Sequence, residues 1–211
     1  MAFDNDFTAV VGATYTAAQY NTYTRDNFTA IWVYTTAGDI AYASAADALS
    51  RLGIGNPYDV MRVNSAGNAP SWGGYIAGMA YLGSNQSINN VSTTPAGVNV
   101  EFASAPISNL VTWSAGSPTR LTIGVTGFYI FGYVLSIDGG SGYRQANILK
   151  NGTDAYLETR YPTAAGETTN ITGADVTLLT AGDYLVLNIT HNESSAINVR
   201  LAELYAVRVG G

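Results

Sequence analysis

Thr126-Gly127-Phe128-Tyr129-Ile130-Phe131-Gly132-Tyr133-Val134-Leu135-Ser136-Ile137 is the stretch on which the fold turns. Successive side chains of a strand point to opposite faces. One face therefore carries Tyr129, Phe131, Tyr133 and Leu135, and the other carries Phe128, Ile130, Gly132 and Val134. A strand of a solitary antiparallel sandwich has one apolar face and one wet face. Here both are apolar. The tyrosine and phenylalanine face reads as core. The other face needs a cover, from the front of the chain or, more simply, from self-association.

Around this strand the sequence from Ile76 onward is a series of short apolar runs separated by Gly, Asn, Ser and Pro. Strands are expected around Val98–Ala103, Leu110–Trp113, Arg120–Val125, Phe128–Ile137 and Tyr143–Lys150. Further strands are expected around Asp154–Tyr161, Ala174–Leu179, Asp183–His191 and Asn198–Val209. Asn151-Gly152 is a tight-turn pair, because both residues tolerate positive φ. Thr180-Ala181-Gly182-Asp183 is a second turn. Eight or so strands without an intervening helix imply a sandwich or barrel, and a jelly roll is the commonest arrangement of that number.

The front of the chain differs, and the change falls at Trp72-Gly73-Gly74. The expected division is an N-terminal region over 1–75 and a jelly-roll domain over 76–211. Thr16 caps an expected helix in which Tyr20, Tyr23, Asn27/Phe28, Ile31 and Tyr34 recur at roughly helical spacing. Ser44-Ala45-Ala46-Asp47 opens an expected second helix, with Leu49 and Leu52 as its apolar face and Gly53 as its stop. Tyr58–Val63 and Pro70-Ser71-Trp72 read as a small hairpin. Two readings of this region stand: a small helical subdomain, or a docking arm ordered by a partner.

Composition removes whole classes of function. Charged residues are 11% of the chain, net charge is −6 and Lys150 is the only lysine, so there is no basic stripe to neutralise phosphates. Nucleic acid is not an expected partner. With no cysteine, disulfides and thiolate metal sites are excluded. The single histidine, His191, excludes a multi-histidine metal site. No apolar run approaches a membrane span, and the acidic start Met1-Ala2-Phe3-Asp4-Asn5-Asp6 is unlike a signal peptide. No membrane insertion and no cofactor are expected.

Two resemblances give these pieces a context. Thr126-Gly127-Phe128-Tyr129-Ile130-Phe131, Ile148-Leu149-Lys150-Asn151-Gly152 and Leu178-Leu179-Thr180-Ala181-Gly182-Asp183-Tyr184-Leu185 resemble, in order, three motifs of one jelly-roll family. That family includes the globular head of complement's first component and tumour necrosis factor. The resemblance implies a ten-stranded jelly roll assembling as a homotrimer around apolar strand faces, with Phe128, Ile130 and Val134 at the trimer interface. Glu203-Leu204-Tyr205-Ala206-Val207 departs from the family's glycine-containing closing strand. At the front, Asn21-Thr22-Tyr23-Thr24-Arg25-Asp26-Asn27, Ala37–Ala43, Ala46–Gly55 and Ala69-Pro70-Ser71-Trp72 resemble in sequence a module that opens bacteriophage tail and fibre proteins. It implies attachment to other virion proteins, with Tyr20, Tyr23, Arg25, Phe28 and Ile31 as the expected contact residues.

The expected product is a mainly β protein: an antiparallel jelly-roll sandwich with a small N-terminal α+β attachment region. It is expected to be a non-enzymatic, trimeric virion protein of a tail fibre or tail tip, with host-surface glycan or protein as a further partner. A capsid decoration or head-fibre protein is the alternative within the virion. A tail-associated polysaccharide-degrading enzyme is the alternative from another class, since Asp138, Asp154, Glu158, Asp175 and Asp183 offer carboxylate pairs. Asp154 and Asp183 follow turns, however, where Asp bonds to the backbone. His191 lies near Glu193, Ser194 and Ser195, but no Gly-x-Ser-x-Gly elbow is present, and a strand-end surface histidine is expected. Asp138-Gly139-Gly140-Ser141-Gly142 lacks the lysine and helix of a phosphate cradle and reads as a flexible loop tip.

Overall fold

The protein was analysed as a computed structural model that describes residues 14, 16–26, 28–29, 32–46, 48–57, 59–64, 66–91, 96–162 and 167–210. The chain divides into two compact units, Met1–Gly74 and Tyr75–Gly211.

In the first unit, α1 (Ala17–Tyr20) begins as Thr16 dictates. The Thr16 hydroxyl accepts the Gln19 N–H at 3.2 Å and the Gln19 side chain accepts the Thr16 N–H at 3.0 Å. The helix then widens into a π-helical turn over Asn21–Asp26. A π turn inserts an extra residue, which is why the aromatic spacing in the sequence slips between Asn27 and Phe28.

The expected second helix is not formed. Its place is taken by an antiparallel hairpin, β1 (Ile40–Ala45) and β2 (Ala48–Leu52). Leu49 and Leu52 alone are too few to fix a helical face. Pairing along Ile40–Leu52 and Tyr42–Ser50 instead satisfies both backbones, and the Ser50 hydroxyl bonds the Ser44 hydroxyl at 2.8 Å. Asp39 anchors the hairpin by accepting the N–H groups of Thr35 and Thr36, each at 2.8 Å. The second hairpin, β3 (Val60–Val63) and β4 (Pro70–Gly73), forms where it is expected. Trp72 donates its indole N–H to the Gly53 carbonyl at 2.6 Å, which ties β4 to the end of β2.

The second unit is an antiparallel jelly-roll sandwich. Its strands are β5 (Ala77–Tyr81), β6 (Gln86–Ile88), β7 (Val98–Asn99), β8 (Ser104–Asn109), β9 (Val111–Ser114) and β10 (Ser117–Ile123), followed by β11 (Gly127–Ile137), β12 (Tyr143–Lys150), β13 (Asp154–Pro162), β14 (Thr169–Leu179), β15 (Tyr184–His191) and β16 (Ile197–Gly210). One sheet runs β14-β11-β16-β5-β8 with β6 also on β16; the other runs β13-β12-β15-β10-β9 with β7 also on β15. From β10 to β16 the chain crosses between the sheets at every connection except the β12–β13 hairpin, and β16 returns beside β5. β5, β6 and β8 are additions to the expected strands. Ala77-Gly78-Met79-Ala80-Tyr81 has little β propensity, and β8 carries Pro106, which an edge strand tolerates. The expected strand over Val98–Ala103 shrinks to β7.

Between the sheets lies one core. Tyr129, Phe131, Tyr133, Leu135 and Ile137 of β11 meet Ile148 of β12 and Leu185, Leu187 and Ile189 of β15 there. The two hairpin motifs lock each other at one end. Asn151 and Gly152 take φ of 54° and 79°, the conformation a type I′ turn demands. Asn151 accepts the Tyr184 N–H at 3.0 Å and donates to Asp183 at 2.9 Å. Asp183 in turn accepts the Thr180 N–H at 2.8 Å and pairs with Lys150 at 3.0 Å. The expected backbone role of Asp183 is therefore present, with an ion pair added.

At another corner, His191 is not on the surface: it is fully buried. Its backbone pairs with Arg144 across the β12–β15 ladder, and polar partners make its burial tolerable. Nε2 meets the Ile88 carbonyl at 3.2 Å and Nδ1 accepts the Glu193 N–H at 3.2 Å. Arg144, also fully buried, pairs with Glu193 at 3.3 Å and donates Nε–H to the Asp138 carbonyl at 3.0 Å. Glu193 accepts the Gly142 N–H at 2.8 Å. The glycine-rich stretch is thus tied down at both ends by hydrogen bonds to Arg144 and Glu193.

Burial lowers the pKa of His191 below 6.5, with the Arg144 charge adding to it against the Ile88 carbonyl. The Gly142 N–H, with Arg144, lowers that of Glu193, and Arg200 with Asn198 lowers that of Asp138. Each of these groups binds fewer protons folded than unfolded. Their contribution to stability is complete above the unfolded value and is lost as pH falls through the folded one. Thermal unfolding should show a midpoint that begins to drop below about pH 6.5, where unfolded histidine takes up its proton, and drops again in the carboxylate range. His191→Gln should remove the first decline and keep the second; an unchanged profile would assign the decline to other groups. A fragment spanning 75–211 should unfold cooperatively by itself, and an insoluble or non-cooperative product would make the first unit part of its core.

Candidate functional site

The most distinctive surface is the outward side of the β14-β11-β16-β5-β8 sheet. Strand register places Val176, Ile130, Val207 and Ala77 in one row across four strands. The next row is Ala174, Gly132, Tyr205, Met79 and Ile107 across all five. Leu178 stands beside Phe128 at one end. At the other end the face turns polar, with Thr172 beside Val134, Glu203 on the far side of Val134, and Asn170 beside Ser136.

Phe128, Ile130 and Val134 are 50%, 43% and 37% exposed, while their neighbours Tyr129, Phe131, Tyr133 and Leu135 are buried. The two apolar faces of β11 thus have different fates in the single chain: one is core and the other is open. Val176 and Leu178 on the adjoining β14, and Ile107 on the edge strand β8, are exposed with it. The patch spans the sheet rather than one strand, a breadth the sequence of β11 does not disclose. Gly132 shapes its middle: a β-carbon there would stand 2.5 Å from the Tyr205 hydroxyl and against the Gly173 carbonyl. The tyrosine therefore lies down on the sheet where a side chain would otherwise rise.

In the first unit, three of the expected attachment residues share one open cleft. Tyr20, Arg25 and Phe28 line it with Thr24, Thr29 and Trp32, around a volume of about 510 Å³. Tyr20, Phe28 and Trp32 are exposed aromatics. Tyr23 lies on the same π-helical turn, and Ile31 lies outside the described residues. Trp32 is the residue that the periodic reading missed. It is reached by continuing the shifted period past Phe28, and its N–H bonds the Phe28 carbonyl at 3.2 Å.

His191, Asp138, Asp154, Asp175 and Asp183, weighed for catalysis, have structural partners instead. His191 faces Ile88 and the Glu193 backbone, not a serine. Asp138 pairs with Arg200 and accepts from Asn198, and Asp183 is held in the turn described above. Asp154 accepts the Thr153 hydroxyl at 3.3 Å and Asp175 accepts the Val176 N–H at 2.7 Å. Among the described residues no group of three His, Asp or Glu is placed to hold a metal ion. Nor, among them, is any helix long and apolar enough to cross a membrane.

No protein-family model matches this chain, and no curated protein matches it. Among solved structures it is similar to the Eiger TNF of S. frugiperda, at 11% identity over 64% of this chain and 93% of that one, with a TM-score of 0.49. It is similar also to the globular domain of zebrafish complement 1qA protein, at 13% identity over 64% of this chain and 97% of that one, with a TM-score of 0.49.

Proposed function

We propose that this chain is a non-enzymatic structural protein of a bacteriophage virion, a homotrimer belonging to a tail fibre or tail tip. In this reading the copies join through the outer face of the β14-β11-β16-β5-β8 sheet. The first unit attaches to other virion proteins through the Tyr20–Trp32 cleft, and the jelly roll's outward loops meet a glycan or protein of the host surface. The observation that carries it is the apolar band across five strands, which a solitary jelly roll would leave in water. Fully burying side chains such as Phe128 and Ile130 contributes roughly 1.5–3 kcal/mol each, and about half of that where half the surface is already covered. Repeated over the band and over three subunits, this is of the same order as the association cost of about 4–15 kcal/mol per joining event. The placement in a virion rests on the sequence likeness of the front of the chain to tail and fibre modules.

Light scattering should give three times the 22.2 kDa chain mass. Ile130→Asp sets a charge in the middle of the band, in the centre of each interface, where burial without a partner is very costly. This variant should run as a monomer that keeps the wild-type far-ultraviolet spectrum. A wild-type monomer, or an Ile130→Asp trimer of normal stability, would overturn the assembly reading. For attachment, the bond after Arg25 should be cut by trypsin in the isolated protein and protected in particles, since a segment this short gains little from a private core. Equal cutting in both would remove the docking role of the cleft.

A further inference from the structure

On the other sheet, away from the apolar band, a small polar pocket of about 70 Å³ opens between β9 and β10. Thr112, Trp113, Ser114, Ser117, Arg120 and Thr122 line it. Arg120 is held in place from two sides. Its guanidinium carbon lies 4.9 Å from the centre of the Tyr184 ring, and one Nη donates to the Ser117 hydroxyl at 2.8 Å. Tyr184 reaches this position because it pairs with Thr122 across the β10–β15 ladder. Among the described residues no carboxylate pairs with Arg120, Arg62, Arg160 or Arg208, whereas Arg51, Arg144, Lys150 and Arg200 each have one. Of the four without one, Arg120 is fixed at a pocket lined by four hydroxyls, in a chain of net charge −6 with only nine Lys and Arg.

We infer that this pocket is a binding site for a small oxyanion, a carboxylate, sulfate or phosphate group, gripped by Arg120 and by the hydroxyls of Thr112, Ser114, Ser117 and Thr122. A guanidinium presents several N–H donors in a rigid fork, and ionised partners strengthen each bond. Hydroxyls rotate to donate to whichever oxygen is left. Stacking on Tyr184 settles the guanidinium before the anion arrives, so little side-chain entropy remains to be lost on binding. The pocket is small, so a larger ligand would reach it by its anionic group. The inference stands apart from the trimer and virion readings, since the pocket lies within one chain.

Full-length protein labelled with 5-fluorotryptophan should give three fluorine signals, one per tryptophan, and Trp113→Phe identifies the pocket's own. Sodium sulfate, sodium phosphate, sodium glucuronate and neutral glucose are titrated at constant ionic strength. A saturable shift of the Trp113 signal with the anions and none with glucose is expected. Arg120→Gln should weaken it about tenfold or more, the loss of a charge-assisted contact. Arg160→Gln, which removes the arginine stacked 3.7 Å over Tyr143, should leave it unchanged. Saturation by glucuronate at lower concentration than by sulfate or phosphate would mark a sugar-borne carboxylate as the source, and the reverse a free ion. If Arg120→Gln does not fold, Thr122→Val keeps the cation, removes one hydroxyl and should still weaken saturation. No saturable shift in the wild type, or the same saturation in every folded pocket variant, would overturn the site.

Discussion

β11 is the strand on which the second unit depends, because it is flanked by β14 and β16 along its whole length and is apolar on both faces. Its inner side chains cannot be wetted without opening the core, so both flanking strands stay packed beside it. A one-residue slip would exchange Tyr129, Phe131 and Tyr133 for Phe128, Ile130 and Val134. Such a slip costs less than usual here, since the exchange is apolar for apolar. Register must then be set elsewhere. The Asn151–Tyr184 and Lys150–Asp183 contacts fix one end of the sandwich, and the Arg144–Glu193–His191 cluster fixes another. Polar contacts at the corners supply the specificity that apolar contacts in the middle do not.

Much of this was legible in the residues. The strands from β9 to β16 are apolar runs between turn residues, and Asn151-Gly152 announces its own geometry. The illegible parts share a cause: they are decided by the strands they pair with rather than by the local preference of their own residues. Ser44–Leu52 has the local marks of a helix start, yet pairing with Ile40–Ala45 prevails. β5 has weak local preference and is a strand because β16 lies beside it. His191 looks like a surface residue until Arg144 and Val91 are seen beside it.

The candidate sites divide in the same way. The open side of β11 was readable from alternation alone, since every second residue is large and apolar. Its continuation onto Val176, Tyr205, Met79 and Ile107 needed the register of four further strands. The Arg120 pocket had no sequence signature, because its hydroxyls come from two strands and its aromatic support, Tyr184, lies 64 positions further on. Part-buried polar pairs such as Asn188 with Asn99, 2.7 Å apart, were hidden for the same reason.

Gly132 has a consequence for how the apolar side of the sandwich can meet another surface. By leaving room for Tyr205, Gly132 lets that ring lie low over the centre of the sheet instead of a side chain rising there. A smooth greasy plane adheres well but does not say which way its neighbour should point. Direction has to come from where the grease ends, at Thr172, Glu203, Asn170 and Ser136. Those polar residues resist burial without partners, so they would stay towards water in any association and give an otherwise featureless contact its polarity along the strands.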